Sequence, residues 1–320
     1  MPTAIHIEAC PNLLSIPERE AIFRHFPDGV LVFDLETTGL SPSLDEIVEI
    51  AAILVTPQGT STFQTLVNPL RPIPAIVTAI HGITDEMVLD APPFHKVLPE
   101  FLKFSCSTSP IPAWFAHNAR FDVGFIIAAH QKFNLIPPNV SIYCSCQLSR
   151  LAFRGAPNHR LKTLATYLGI ALEQHHRAYA DTLATVHVLA QGLSRYEEML
   201  AQPTTEKSKK YPDIKSHSWV YALSEFKRLG PSSLPSHLQD LVPLLNAGQP
   251  TIEILYQGGS HKGKYRPIRA VAFLPMPQGP VLYAHCLLTD LYKSFSVIKI
   301  VAWRLATVPA PSEQAPKEGL

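Results

Sequence analysis

Asp34 and Glu36 close an apolar run, Val30-Leu31-Val32-Phe33, with one residue between them. On an extended chain, residues two apart project to the same face, so the two carboxylates stand side by side. Neighbouring anions repel, and a strand gains no stability from that arrangement. Hard divalent cations remove the repulsion, because they take carboxylate oxygens as ligands. Two further acids and a histidine extend the pattern. Asp122 follows the short apolar run Ala113–Ala116 and opens a helical stretch, and Asp181 opens a second, longer one. His176 precedes Asp181 by five residues, with His175 beside it. Taken singly, Asp122 and Asp181 read as first-turn acids that complement a helix dipole, and His176 reads as a surface histidine. Taken together, the carboxylates suit cation binding, and an imidazole that titrates near neutrality suits proton transfer.

The elements that must position these groups follow from periodicity and turn chemistry. Residues 1–29 form a lead with a short helix at Pro17–Phe26, ended by Pro27-Asp28-Gly29. Val30–Leu35 is the acid-bearing strand. Ile47–Thr56 is a longer strand closed by Pro57-Gln58-Gly59, and Ser61–Val67 returns beside it. Helical patterns cover Ala75–Ile80, Phe94–Phe104, a stretch from near Phe121 to Phe133, Leu161–Leu168 and the segment from Asp181 to Met199. Val140–Cys144 is a further strand. A strand meander followed by alternating strands and helices implies an α/β domain with a mixed sheet over residues 30–200. The polar stretch QPTTEKSKKYPDIKS implies a linker over 201–216. Beyond it, residues 217–308 read as helices at Trp219–Leu229 and Pro235–Asn246, then strands at Thr251–Tyr256, Arg269–Leu274, Val281–Leu287 and Phe295–Val301. The tail, 309–320, has a disordered composition.

Three segments together resemble one known family. FDLETTGL (Phe33–Leu40), HNARFD (His117–Asp122) and HRAYAD (His176–Asp181) are similar, in order and separation, to the three motifs of the DEDDh, or DnaQ-like, 3′-5′ exonucleases. DEIVEIAAILV, HGITDEMVLDAPPF and LKTLATYLGI are similar to that family's connecting segments. The resemblance implies an RNase H-like fold with a mixed five-stranded sheet flanked by helices. It implies two divalent ions, Mg²⁺ or Mn²⁺, with Asp34 bridging both, Glu36 and Asp181 on the ion that activates water, and Asp122 on the other. It assigns His176 as general base from its spacing to Asp181, with His175 as the rival. Leu35, Thr37 and Thr38 would hold the terminal nucleotide through backbone groups. His117, Asn118 and Phe121 either shape that pocket or serve as strand end and helix start, and His81 reads as helix-turn packing.

The remaining features bound the function. The composition is that of an ordinary globular protein, with hydrophobic content of 46% and formal net charge of +1, which does not suit a nucleic-acid coat. No apolar run reaches a membrane span of ~20 residues, and the start lacks a secretory pattern. Five scattered cysteines, including the pair Cys144 and Cys146, read as reduced thiols of a cytoplasmic protein. Residues 249–308 carry an excess of five positive charges. Lys262, Lys264, Arg266 and Arg269 form the core of that basic face, which either is merely solvated or touches phosphate or an anionic ligand. The order of strands there faintly resembles a WYL domain, a small SH3-like β module. The whole implies a 3′-5′ exonuclease that releases nucleoside monophosphates from single-stranded DNA or RNA ends, with a replication or repair partner. The alternatives are an oligoribonuclease-like RNA trimmer and a non-catalytic nucleic-acid or polymerase-associated binding module.

Overall fold

The structure is a computed structural model that describes residues 5–42, 44–172, 175–201, 214, 221–223, 234–274 and 279–306. They form two units, one of Met1–Leu40 and Asp45–Glu225, the other of Ser41–Leu44 and Phe226–Leu320.

The first unit is built around a strand that contains the expected acids. Its strands are β1 (His6–Ala9), β2 (Val30–Thr37), β3 (Ile47–Thr56), β4 (Gly59–Leu66), β5 (Ala113–Ala116), β6 (Ser141–Cys144) and β7 (Tyr221–Ala222). They lie in the order β1-β4-β3-β2-β5-β6-β7. β2 pairs antiparallel with β3 and parallel with β5, and β5 pairs parallel with β6, so the sheet is mixed. The central position of β2 explains its unbroken apolar run: Val30, Leu31, Val32 and Phe33 are each 0% exposed. A strand covered on both faces has no need of alternation. The run starts at Gly29, whose φ of +97° suits glycine and whose added Cβ would lie 2.2 Å from the Val55 carbonyl oxygen. Helices cover the sheet. They are α1 (Ile16–His25), α2 (Ala75–His81), α3 (Asp85–Val88), α4 (Phe94–Ser105), α5 (Arg120–Lys132), α6 (Ser145–Ala152), α7 (Leu161–Leu168) and α8 (Ala178–Ala201). Phe33, Phe101 of α4 and Trp114 of β5 make a tilted and edge-to-face aromatic cluster, with centroids 5.4–5.9 Å apart.

This sheet holds the expected five strands, β4-β3-β2-β5-β6, and adds one at each edge. β1 lengthens it at Gln64–Ser61 of β4. β7 pairs with Ser141 and Ile142, so the first unit runs past residue 200. The helix expected at Trp219–Leu229 is strand at Tyr221–Ala222, and most of that range lies outside the described residues. The expected linker, 201–216, also lies outside them apart from Ala201 and the buried Ile214, as does the 309–320 tail.

The second unit is mostly β. Two short helices, α9 (Ser236–Gln239) and α10 (Leu241–Ala247), precede β8 (Thr251–Tyr256), β9 (Tyr265–Leu274), β10 (Val281–Cys286), β11 (Leu291–Ser296) and β12 (Ile300–Leu305). The five strands form one antiparallel sheet in the order β11-β10-β9-β8-β12. The single strand expected at Phe295–Val301 is instead the end of β11, a 3₁₀ turn at Val297–Lys299 and the start of β12. An apolar run whose two ends pair with β10 and β8 has no turn residue to mark the change.

Candidate active site

β2 delivers the first two acids at its C-terminal end, where it stops being regular. Glu36 pairs with Glu49 on β3 but Thr37 pairs with Ile47, so Val48 is a bulged residue beside the acids. Bulges bend a strand and re-aim its side chains. α5 brings Asp122 in its first turn and α8 brings Asp181 in its first turn. Oxygens of Asp34, Glu36 and Asp181 lie within 4.8 Å of one another. Asp122 completes the group: its charge is felt at both Asp34 and Glu36, and the Leu35 backbone amide hydrogen-bonds to its carboxylate. The structure thus brings together all four acids singled out in the sequence.

Their electrostatics follow from that crowding. Burial, then the charges of Asp122, Glu36, Asp181 and Glu49, pushes Asp34 well above the usual carboxylate range. Glu36 is pushed up to about 8, by burial and then by Asp181, Glu49 and Asp122, with Arg177 opposing. Asp122 is raised by burial, and its Oδ1 is buried without a hydrogen-bond partner. A buried acceptor left unpaired is costly. Hard oxygen donors, mutual repulsion and an orphaned carboxylate oxygen fit divalent cations at this point.

The two histidines take different positions. His175 Nδ1 lies 2.9 Å from Asp181 Oδ1, while the His176 backbone N–H donates to Asp181 Oδ2 at 3.2 Å. Their rings stack with centroids 3.8 Å apart. His176 has φ of +67°, a left-handed conformation that a non-glycine residue adopts only under local constraint. It is the more exposed of the two, and burial followed by the neighbouring His175 lowers its pKa, which keeps the ring neutral and able to accept a proton. The described structure therefore places the rival, His175, on the Asp181 carboxylate, with the ring of His176 stacked on it and a ring nitrogen of His176 within 4.8 Å of the same acid.

The other nominated residues separate into engaged and open ones. Leu35, Thr37 and Thr38 are buried at the end of β2. The Thr37 hydroxyl donates to the Gly39 carbonyl at 2.5 Å, and the Thr38 hydroxyl accepts from the Glu46 N–H at 3.0 Å. Both ring nitrogens of His117 are occupied, Nδ1 with the Ser145 hydroxyl at 2.9 Å and Nε2 with the His159 carbonyl at 3.0 Å. Burial pushes its pKa down to about 4, so it is a neutral strut between β5 and α6. Asn118 is exposed at φ of +63°, and Phe121 is half-buried against Phe125. His81 is 4% exposed, accepts the Ile83 N–H at Nδ1, and feels Glu49, Arg177 and His176. It is thus a neighbour of the site as well as a packing residue. On the second unit, Lys262, Lys264 and Arg269 are exposed, but Arg266 is 5% exposed, with Nη1 3.4 Å from Cys286 Sγ. β9 turns Arg266 inward by the same alternation that turns Arg269 outward, so Arg266 does not belong to the basic face.

The sequence reading missed Glu49 and Arg177. Glu49 is 0% exposed on β3, and both of its oxygens are engaged by the Arg177 guanidinium. The signal was present: a lone glutamate inside the otherwise apolar run IVEIAAILV, which is buried at every position.

Part of this chain is similar to known exonucleases and polymerase-associated proteins. Residues 31–189 match the exonuclease (RNase_T) family model. The DNA polymerase III PolC-type protein of Caldanaerobacter subterraneus subsp. tengcongensis is 38% identical over 177 residues, which is 55% of this chain and 12% of the relative. That of Bacillus subtilis is 38% identical over 161 residues, 50% of this chain and 11% of the relative. The chain thus spans about an eighth of the length of the curated relatives it matches. Among solved structures, exonuclease X in complex with 5′ overhanging duplex DNA is 27% identical, covers 56% of this chain and 96% of its own, and superposes with a TM-score of 0.41. Just under half of this chain, residues 31–189, is thus similar to the exonuclease family, and all four acids and His176 lie inside that stretch.

Proposed function

We propose that this chain is a metal-dependent 3′-5′ exonuclease that hydrolyses phosphodiesters at single-stranded nucleic-acid ends and releases nucleoside monophosphates. The convergence of Asp34, Glu36, Asp122 and Asp181 on one point carries this reading, because four crowded acids are destabilising without a cation to share. Asp34, Glu36 and Asp181 would hold one divalent ion, and Asp34 and Asp122 a second. Such ions, Mg²⁺ or Mn²⁺, supply stabilisation of charge on the entering and leaving oxygens of a displacement at phosphorus.

The chain's own groups do the rest. His176 accepts the proton of the attacking water at a ring nitrogen, which its lowered pKa leaves free. Asp181 fixes the His176 backbone through the N–H to Oδ2 bond. Leu35, Thr37 and Thr38 hold the last nucleotide by backbone groups, and Asn118 and Phe121 border it. The match to polymerase-III-type relatives supports a replication or repair setting, with single-stranded ends as substrate and a replication or repair protein as partner. No described helix is long and apolar enough to cross a membrane.

The test is degradation of 5′-labelled single-stranded DNA and RNA in Mg²⁺, Mn²⁺ or EDTA. The expected result is a ladder shortening from the 3′ end, monophosphate products, and no reaction in EDTA. Internal cleavage, or full activity in EDTA, contradicts the reading. The relative rates on DNA and RNA identify the substrate class.

A further inference from the structure

We infer that the ion pair between the buried Glu49 and the half-buried Arg177 is a positioning device for the reaction: it sets where α8 begins and so where His176 and Asp181 stand over the acids of β2. The inference rests on the exonuclease reading above. Glu49 sits directly across from Glu36 in the β2–β3 register, inside the anionic cluster. A fifth unpaired carboxylate there would be strongly unfavourable. Instead, Arg177 Nη2 reaches Glu49 Oε1 at 2.7 Å and Arg177 Nε reaches Oε2 at 3.1 Å. This two-point fork fixes direction as well as distance. The same Oε2 accepts the Ala178 backbone N–H at 2.9 Å, so one carboxylate holds both the side chain before α8 and the first amide of the helix.

His176 is the residue immediately before Arg177, and its left-handed backbone is tied on the other side to Asp181 Oδ2. The segment from His176 to Asp181 is therefore anchored at Glu49 on the sheet and closed on itself by Asp181. A buried ion pair is a poor source of stability, since an uncharged pair of similar volume commonly matches it. It is a good source of orientation. Misplacing a reacting group by about 1 Å can cost on the order of 10²-fold in rate. Neither Glu49 nor Arg177 needs to touch substrate for this, so the effect belongs to turnover and not to substrate binding.

The experiment uses the full chain with a single-stranded oligothymidylate and Mn²⁺, and reads kcat, KM and Tm for the wild type, Arg177→Lys, Arg177→Met and Glu49→Gln/Arg177→Met. The double variant removes both charges, while the amide carbonyl introduced at position 49 can still accept the Ala178 N–H. It should therefore fold with Tm near the wild type even if Arg177→Met does not. Its kcat is expected to fall by about 10²-fold, with KM changed by no more than about threefold. Arg177→Lys, which keeps the charge and loses the fork, should fall between. A folded double variant with kcat within about threefold of wild type, or a loss confined to KM, overturns the inference and leaves the exonuclease reading intact. A wild type without Mn²⁺-dependent cleavage removes that reading, and the inference with it.

Discussion

At the scale of single residues, the site is a balance of repulsion held by burial. Glu36 and Asp34 have raised pKa values, caused first by burial and then by neighbouring acids. An acid whose pKa is higher folded than unfolded supports the fold at low pH and loses that support as pH rises through its folded value. For Glu36 this window runs from its ordinary value of 4.5 to about 8. The metal-free protein should therefore lose Tm across that window, and the Tm gain on adding Mn²⁺ should widen toward its upper end. Thermal melts in EDTA and in Mn²⁺ over that range check both; a gap that does not change with pH contradicts the assignment. The histidines give a second test. His176→Ala should lower kcat by about 10²–10⁴-fold, the usual worth of a general base. His175→Ala frees the Asp181 carboxylate and should cost less than about tenfold. Single-turnover rates of the two variants decide between the rings, and the reverse order would make His175 the base.

At the scale of elements, β2 decides whether the acids meet. Its entry depends on Gly29, where a Cβ would strike the Val55 carbonyl and φ is +97°. Gly29→Ala should destabilise by about 2–3 kcal/mol or more, read as a lower urea midpoint at unchanged slope. An unchanged midpoint would mean that the turn at 27–29 rearranges freely. The same strand shows why part of the molecule was legible in the sequence. Val30–Phe33 followed by Asp34 is a buried run with an acid at its end, and Leu161–Leu168 is closed by Gly169 at φ of +67°, a signal that needs no tertiary knowledge. β1, four exposed residues, and β7, two residues, are too short for any period to show, and only pairing with β4 and β6 makes them strands. α6 starts directly after β6 with no turn residue between them. At the site, motif spacing located the four acids, but the Glu49–Arg177 bond links positions 128 residues apart and exists only once the chain folds.

At the scale of the whole molecule, the first unit contains every residue assigned to the chemistry and extends to Glu225. A chain ending after Glu225 should retain cleavage of short oligonucleotides. One ending after Pro203 also loses β7 and the buried Ile214 and Leu223, and should melt lower. With Arg266 turned inward, the exposed basic residues on the second unit are reduced to Lys262, Lys264 and Arg269 and their neighbours. If these touch phosphate, replacing the three with Ala should weaken binding of long strands and flatten its salt dependence by a slope of about 0.7 for each phosphate no longer neutralised. Equal salt slopes for the variant and the wild type would leave that face without a nucleic-acid role. The claim on which the rest depends is that the β2 carboxylates hold the ions for phosphodiester hydrolysis. The most direct measurement is the rate of monophosphate release from single-stranded DNA by Asp34→Asn beside wild type in saturating Mn²⁺, with Tm recorded in EDTA. The account predicts a loss of at least about 10³-fold together with a metal-free Tm equal to or above that of wild type, because the substitution relieves repulsion. A folded Asp34→Asn protein that releases monophosphate within about tenfold of the wild-type rate would contradict it.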